Sequence, residues 1–253
     1  MIKLRTTIVL YIIVIILVYL FLPWKGIFFI FITLLLFTHL VYSALSICSN
    51  LYVKSRCKGN NSEKKIALTF DDGPDAEITS EILGLLDQYN AKATFFCTGK
   101  SIEKNRELLK DIDKRGHAIG NHTYSHSYGK NMFSAKRLKD DIQNNQDLIY
   151  ETIGKKVKLF RPPFGVTNPP IAKAIKNFNF IVIGWSLRSF DTIHKPEQVI
   201  QKVIKKVKPG DIILFHDNRL NTIEILKTVL EFLQSKNYGM VRVDELLNIA
   251  AYE

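Results

Sequence analysis

No aspartate or glutamate occurs before Glu63; all 24 acidic residues of this 253-residue chain lie from there onward. Between residues 6 and 47 the only charge is Lys25. Such a stretch cannot supply the solvated face of a globular domain. It consists of two apolar runs, 8–22 and 27–47, separated by Pro23-Trp24-Lys25-Gly26. A membrane span takes about 20 apolar residues, so the second run is long enough and the first slightly short. Lys3 and Arg5 precede the first run as in a signal peptide, but no small-residue cleavage site follows it. The pattern predicts a transmembrane hairpin over residues 1–50, a linker over 51–64 and a separate domain over 65–253. Trp24 and Tyr42 suit membrane–water interfaces. His39 is a polar residue inside a span, either functional or facing a neighbouring helix.

Cysteine is equally sparse. Cys48, Cys57 and Cys97 show no metal-site spacing and cannot all pair. Cys97 sits in an apolar run and reads as a small core residue. A Cys48–Cys57 pair is open, and the cysteines leave the compartment undecided. Five of the 35 Lys and Arg precede residue 58, leaving 30 against the 24 acids. That moderate excess fits solubility near an anionic membrane surface. No arginine stripe with interleaved aromatics is present, which excludes a nucleic-acid footprint. No repeat of fixed period is visible.

Beyond residue 64, short apolar runs alternate with amphipathic stretches. Strands are expected at 66–70, 94–97, 117–120, 158–160, 180–185, 211–215 and 240–243. Helices are expected at 78–89, 101–114 (with Ser101 as N-cap), 134–152, 169–177, 196–208 and 222–235. This alternation implies parallel βαβ units and an α/β fold. Six or seven such units suggest a distorted, incompletely closed (β/α) barrel of about seven strands rather than an open sheet. Asp71, Asp72, His122, Arg161, Asp191 and His216 fall just after expected strands. In a parallel barrel those positions share one face.

Only six histidines are present, and two of them, His122 and His126, are four apart. In a helical turn such side chains are neighbours, roughly 5–6 Å apart at Cβ. Asp71-Asp72-Gly73-Pro74 lies about fifty residues upstream. Two imidazoles and one carboxylate fill three positions around a divalent ion and leave room for water, the arrangement of catalytic zinc. The second carboxylate is then free to act as a base. No His-x-Asp pattern of the kind used by non-haem iron sites occurs.

These residues resemble the polysaccharide deacetylase family, the NodB-homology domain of carbohydrate esterase family four. Thr69-Phe70-Asp71-Asp72-Gly73-Pro74 is similar to its first motif and His122-Thr123-Tyr124-Ser125-His126 to its second. Arg161-Pro162-Pro163-Phe164-Gly165 resembles the third, and Leu214-Phe215-His216 the fifth. The resemblance implies a metal, most often zinc, on Asp72, His122 and His126. It implies Asp71 as the base toward the attacking water, and Arg161 as the cation that keeps Asp71 oriented. His216 would be the acid toward the leaving amine, with Asp191 as its partner. The Phe164 amide would bind the oxyanion, with Pro163, Trp185 and Leu214 completing the substrate wall. The implied reaction is N-deacetylation of an amino-sugar glycan, peptidoglycan or chitin-like, at a membrane-anchored hydrolase.

The fourth motif departs from the pattern. Thr192 follows Asp191 where the family commonly has tryptophan, and Phe164 replaces a frequent tyrosine. The first change puts the apolar wall near the acetyl group in question. Arg188 is a candidate contact for an anionic sugar or a phosphate, while His117 reads as structural and His194 as solvated. A lipid-linked sugar or an O-acetyl ester is the alternative substrate, and an inactive glycan-binding protein the non-enzymatic reading. Lys3, Arg5, Lys54, Arg56 and Lys58 outnumber Lys25 between the runs, which favours cytoplasmic ends. A wall glycan instead requires an envelope-facing domain, the side expected here on grounds of substrate.

Overall fold

The computed structural model describes residues 2–21, 25–60, 62–127 and 133–253. Trp24 lies outside these residues. Two N-terminal helices, α1 (Ile2–Phe21) and α2 (Lys25–Leu45), pack on each other, with the Tyr11 and His39 rings 6.4 Å apart. Both are long and apolar enough to cross a membrane, and hardly any of their surface is covered by the rest of the chain. Their far ends meet the remainder of the molecule. Leu4, Leu40 and Ala44 join a hydrophobic cluster with Leu51, Tyr52, Val53 and Ile171, and Thr167 N–H donates to Ala44 O at 2.8 Å.

The stretch that follows carries β1 (Ser55–Arg56), and a disulfide joins Cys48 to Cys57. Cys97 is the free thiol, fully buried, and burial raises its pKa well above the ordinary value. The rest alternates strand and helix. In chain order the strands are β2 (Lys65–Asp71), β3 (Ala93–Cys97), β4 (Ala118–Asn121), β5 (Leu159–Phe160), β6 (Ile181–Ile183), β7 (Leu187–Arg188), β8 (Ile212–His216) and β9 (Gly239–Val241). Every pairing between them is parallel, in the order β1-β6-β5-β4-β3-β2-β8-β7, with β9 beside the first half of β2. Among the described residues no pairing joins β7 to β1, so the sheet curls into an open barrel. The nine strands exceed the expected seven because β1 and β7, two residues each, are too short to register as apolar runs.

The helices α3 (Ile78–Gln88), α4 (Gly99–Lys104), α5 (Arg106–Lys114), α6 (Ala135–Ile153), α7 (Pro169–Ala174), α8 (Pro196–Lys206), α9 (Asn221–Ser235) and α10 (Val243–Leu247) complete the chain. One expectation needs correction. The helix expected over 101–114 with Ser101 as cap begins at Gly99, after Thr98, and breaks at Asn105. There the backbone turns to φ −137°, and the side-chain amide donates to Ser101 O and Pro74 O. Ser101 Oγ caps nothing; it donates to Asp72 O at 2.9 Å.

Side-chain alternation along the strands decides what enters the barrel. On β2, Ile66, Leu68 and Phe70 pack under the helices; Ala67, Thr69 and Asp71 take the opposite face. On β8, Ile213 and Phe215 face the helices, leaving Ile212, Leu214 and His216 on the inner face. Leu159 and Arg161 share that parity around β5, as do Ala118, Gly120 and His122 around β4. Burial on both faces explains why the strands read as continuous apolar runs.

A buried amide network fastens β4 to α6. Asn121 Nδ2 donates to Ile142 O at 3.0 Å and Gln146 Oε1 at 3.2 Å; its Oδ1 accepts from Thr123 N–H and from Asn145 Nδ2. Asn121→Ala strands several of these fully buried groups, and leaving even one unsatisfied costs roughly 1–3 kcal/mol. Urea unfolding of the full chain in detergent is expected to show a loss on the order of 2 kcal/mol or more; an unchanged midpoint would contradict this reading of the network.

Candidate active site

The inner-face parity brings four strand ends to one place. Asp71 ends β2 and stands in register with His216 at the end of β8. His122 follows β4 and Arg161 follows β5. A cavity of about 270 Å³ opens between them, lined by Asp71, Asp72, His122, His126, Phe164 and His216 among others.

Asp72, His122 and His126 each offer one ligand atom, and the three atoms lie within 4.8 Å of one another. Asp72 Oδ1 stands 3.6 Å from His122 Nε2 and 3.5 Å from His126 Nε2. Ligands about 2.0–2.2 Å from a tetrahedral ion stand roughly 3.4 Å apart, so these separations fit a zinc-sized cation. The protonation of His122 fits as well. Its Nδ1 lies 2.7 Å from Arg161 O, which fixes that nitrogen as the donor and leaves the Nε2 lone pair facing Asp72. Burial, followed by the neighbouring His126, pushes its pKa down to about 3, so the ring is neutral, the form that ligates.

The spacing of the two histidines does not come from a helix. Residues 122–127 form a loop in which Thr123 (φ 65°) and His126 (φ 45°) adopt left-handed backbone, yet the rings sit 4.7 Å apart. A β-branched residue at positive φ is strained. Loop contacts hold it there: Thr123 Oγ1 accepts from His126 N–H, Asp141 O from Tyr124 N–H, and Thr123 O from Gly99 N–H. Asp72 is also left-handed, at φ 80°, and its carbonyl accepts from Thr98 and Ser101 hydroxyls. Gly73 must be glycine: a Cβ there would meet Asp217 Oδ2 at 2.0 Å.

Asp71 is separately held. Arg161, fully buried, donates from one terminal nitrogen to Asp71 Oδ1 at 2.7 Å and to Thr69 Oγ1 at 2.9 Å. Its remaining bonds go to Ile183 O and Gly184 O, and its guanidinium lies 4.1 Å from the Phe96 ring centroid. Asp71 Oδ2 is left facing His122 Nε2 at 3.6 Å. Beside it on β8, His216 Nδ1 stands 2.9 Å from Asp191 Oδ1, while Asp191 Oδ2 accepts from His216 N–H at 2.7 Å and from Thr222. Burial by itself lowers the His216 pKa, but the hydrogen bond and charge of Asp191 outweigh it and the net shift is upward. For Asp191 burial acts upward, and the bonds from His216 and Ser189 bring the net shift down.

Phe164, Trp185 and Leu214 line the cavity; Pro163, Arg161 and Asp191 are buried and do not. Arg161 and Asp191 reach it through Asp71 and His216. Phe164 has φ 59° and its ring lies tilted against His126, centroids 4.4 Å apart. Gly165, at φ 68°, leaves no room for a Cβ against Trp185. Thr192 reaches the wall, joined by the exposed Ile193 beside it, so apolar surface persists where tryptophan was expected. Arg188 also lines the cavity, and His194 is exposed. His117 is buried, its Nδ1 accepting from Ala93 N–H, with a pKa lowered to about 4 chiefly by burial.

Sequence reasoning passed over Arg219 and Ile193, which line the cavity, and Asp217, which is fully buried against Gly73. Asp217 accepts from Gly73 N–H and Thr79 Oγ1, and burial raises its pKa to about 7. Its place directly after His216 was the one available signal.

A model of the polysaccharide deacetylase family matches residues 58–183. A peptidoglycan-N-acetylglucosamine deacetylase of Bacillus cereus is 40% identical over 74% of this chain and 90% of its own length. The peptidoglycan-N-acetylmuramic acid deacetylase PdaA of Bacillus subtilis is 29% identical over 75% of this chain and 73% of its own. Among solved structures, the Bc1960 peptidoglycan N-acetylglucosamine deacetylase superposes with a TM-score of 0.72 at 29% identity, over 78% of this chain and 94% of that one.

The ligand triad makes a prediction that does not depend on turnover. After incubation with excess zinc and desalting, the chain should retain close to one equivalent by elemental analysis. His126→Ala and Asp72→Asn should each retain under a tenth of that; retention by both at the original level would rule the triad out.

Proposed function

The chain belongs to the polysaccharide deacetylase family, hydrolases that act on amide bonds of glycans, and from that premise we propose that it removes N-acetyl groups from the amino sugars of peptidoglycan or a chitin-like polymer at a single zinc ion. One observation carries the reading: an Asp-His-His triad stands in one cavity with an arginine-held carboxylate and an aspartate-held histidine.

Each residue then has a task its geometry supports. Asp72, His122 and His126 hold the ion, which when bound acidifies a water and polarises the amide carbonyl. Asp71, with Oδ1 fixed by Arg161 and Oδ2 turned toward the triad, takes the proton from the attacking water. The Phe164 backbone amide is the donor to the developing oxyanion. His216, beside Asp71 on the neighbouring strand β8 and with its pKa raised by Asp191, gives a proton to the departing amine. Trp185 and Leu214 form the surface against which the acetyl group rests.

The remaining assignments concern placement. Residues 1–50 are the membrane anchor and 65–253 the catalytic domain, with 51–64 stitching the two together. The Cys48–Cys57 disulfide supports an envelope-facing domain, since such bonds persist in oxidising compartments. It outweighs the short basic bias at both ends of the hairpin, and it favours an exported wall glycan over a cytoplasmic lipid-linked precursor.

Two experiments test this. Asp71→Asn should cut acetate release from N-acetylated wall glycan by about 100-fold or more while the melting temperature stays within a few degrees. Equal release by the variant, or release confined to O-acetyl or lipid-linked substrates, would overturn it. The second is a pH profile. His216 acts as an acid only while protonated, so activity falls as pH rises through its pKa, which Asp191 holds above the ordinary 6.5. Asp191→Asn removes the largest effects opposing burial and leaves only the weaker pull of Asp71 and Asp72; the alkaline limb of kcat should move to lower pH, and an unmoved limb would deny His216 this role.

A further inference from the structure

Arg188 has a surrounding unlike that of the other arginine against Trp185. Arg161, fully buried and 5.6 Å from the Trp185 ring centroid, has nearly all its donors engaged by protein oxygens. Arg188 Nε is buried without a hydrogen-bond partner, and among the described residues no carboxylate lies within ion-pair distance of its guanidinium. The group rests against two rings instead, its central carbon 4.8 Å from the Phe190 centroid and 5.9 Å from that of Trp185. Phe190 takes a left-handed backbone, φ 66°, and carries a second cation: Lys202 Nζ sits 3.6 Å above it. Arg219, exposed and just beyond β8, lines the same cavity. Neither Lys202 nor Arg219 has an ion-pair partner among the described residues.

Gathering unpaired cations around one wall is unfavourable in the free protein. The lowered pKa of Lys202, due first to burial and then to Lys206 and Arg188, registers part of that repulsion. A guanidinium that lines the cavity, rests on aromatic rings and has an unpartnered Nε suits an oxyanion, which it can bind through two parallel N–H donors. Retaining the packing alone would not require the charge, since an aliphatic or amide side chain could lie between the same rings.

We propose that Arg188, assisted by Arg219, forms a subsite for an anionic substituent carried by the sugar residue whose acetamide is cleaved or by its immediate neighbour. This rests on the deacetylase reading and narrows its substrate to amino-sugar glycans bearing a carboxylate, such as the lactyl ether of muramic acid, or a phosphate. Uncharged N-acetylglucosamine oligomers are then the poorer substrates.

The test uses the full chain, zinc-loaded, with four substrates of matched length: a muramic-acid-containing glycan, the same glycan with its carboxyls reduced to alcohols, a glycan bearing phosphate instead, and a neutral N-acetylglucosamine oligomer. At low salt the charged substrates should exceed the reduced and neutral ones by about tenfold in kcat/KM, mainly through KM, and 0.5 M NaCl should erode the difference. The carboxylate and phosphate arms identify which oxyanion is preferred. Arg188→Gln should lower the charged-to-neutral ratio by about tenfold and Arg188→Lys should restore part of it. Arg219→Gln, at an exposed position that does not endanger folding, should lower the ratio more modestly. A wild-type enzyme indifferent to charge, or an Arg188→Gln variant that loses activity equally on charged and neutral glycans, would overturn the subsite. Calorimetric binding of the carboxylate and reduced glycans to the Asp71→Asn protein answers the same question without turnover. A charge preference in binding with no acetate released by the wild type from any glycan would strike the deacetylase reading and leave the subsite standing.

Discussion

The whole site hangs on one buried cation. Arg161 has no exposed surface, and a guanidinium in that position is tolerable only if its donors find oxygens. It finds them on two strands and the turn after one of them: Thr69 and Asp71 of β2, Ile183 at the end of β6 and Gly184 beyond it. Its own carbonyl fixes the His122 tautomer, and its N–H is bonded to Asn121 O. One residue therefore sets the direction of the free carboxylate and the lone pair of a metal-facing imidazole. Burial presses its pKa down and the charge and hydrogen bond of Asp71 offset this only in part, so Arg161 needs an oxygen acceptor at position 71, which an isosteric asparagine still supplies without the charge.

Around that hub the barrel supplies position and the loops supply strain. Strand parity sends Asp71, His122, Arg161 and His216 to the inner face at the carboxyl ends. A continued strand would turn Asp72 to the face opposite Asp71; the chain leaves the strand there at positive φ, with Gly73 pressed against Asp217, and both aspartates reach the cavity. Thr123, His126, Phe164 and Phe190 are left-handed too, so the non-glycine residues in this region are concentrated around the cavity. Such backbone is sustained by the contacts of its surroundings, and it aims side chains that regular strands could not bring together.

Much of this was legible in the amino-acid sequence. The alternation of apolar runs with amphipathic stretches gave the parallel α/β architecture, because runs buried on both faces are characteristic. Asp71-Asp72, His122, His126, Arg161 and His216 declared themselves through residue type and position after strands. What stayed hidden depends on long-range contacts. Asn105 breaks a continuous helical pattern because it reaches Pro74, thirty-one residues earlier. The pairing of Cys48 with Cys57 depends on how α2 folds back onto the sheet edge. The Asn121–Asn145 network, the burial of Asp217 and the convergence of Arg219 with Arg188 likewise arise only when distant segments meet. The missing tryptophan after Asp191 was visible, but its consequence was not: Ile193, one residue on, restores apolar surface to the wall.

The division of labour between the adjacent aspartates is the point most open to direct observation. Crystals of the zinc-loaded full chain, with anomalous diffraction collected at the zinc edge, would reveal it. The expected map has one peak within about 2.3 Å of Asp72 Oδ1, His122 Nε2 and His126 Nε2, with Asp71 unligated and still bonded to Arg161. A peak coordinated by Asp71, or one that leaves Asp72 outside the coordination sphere, would contradict it.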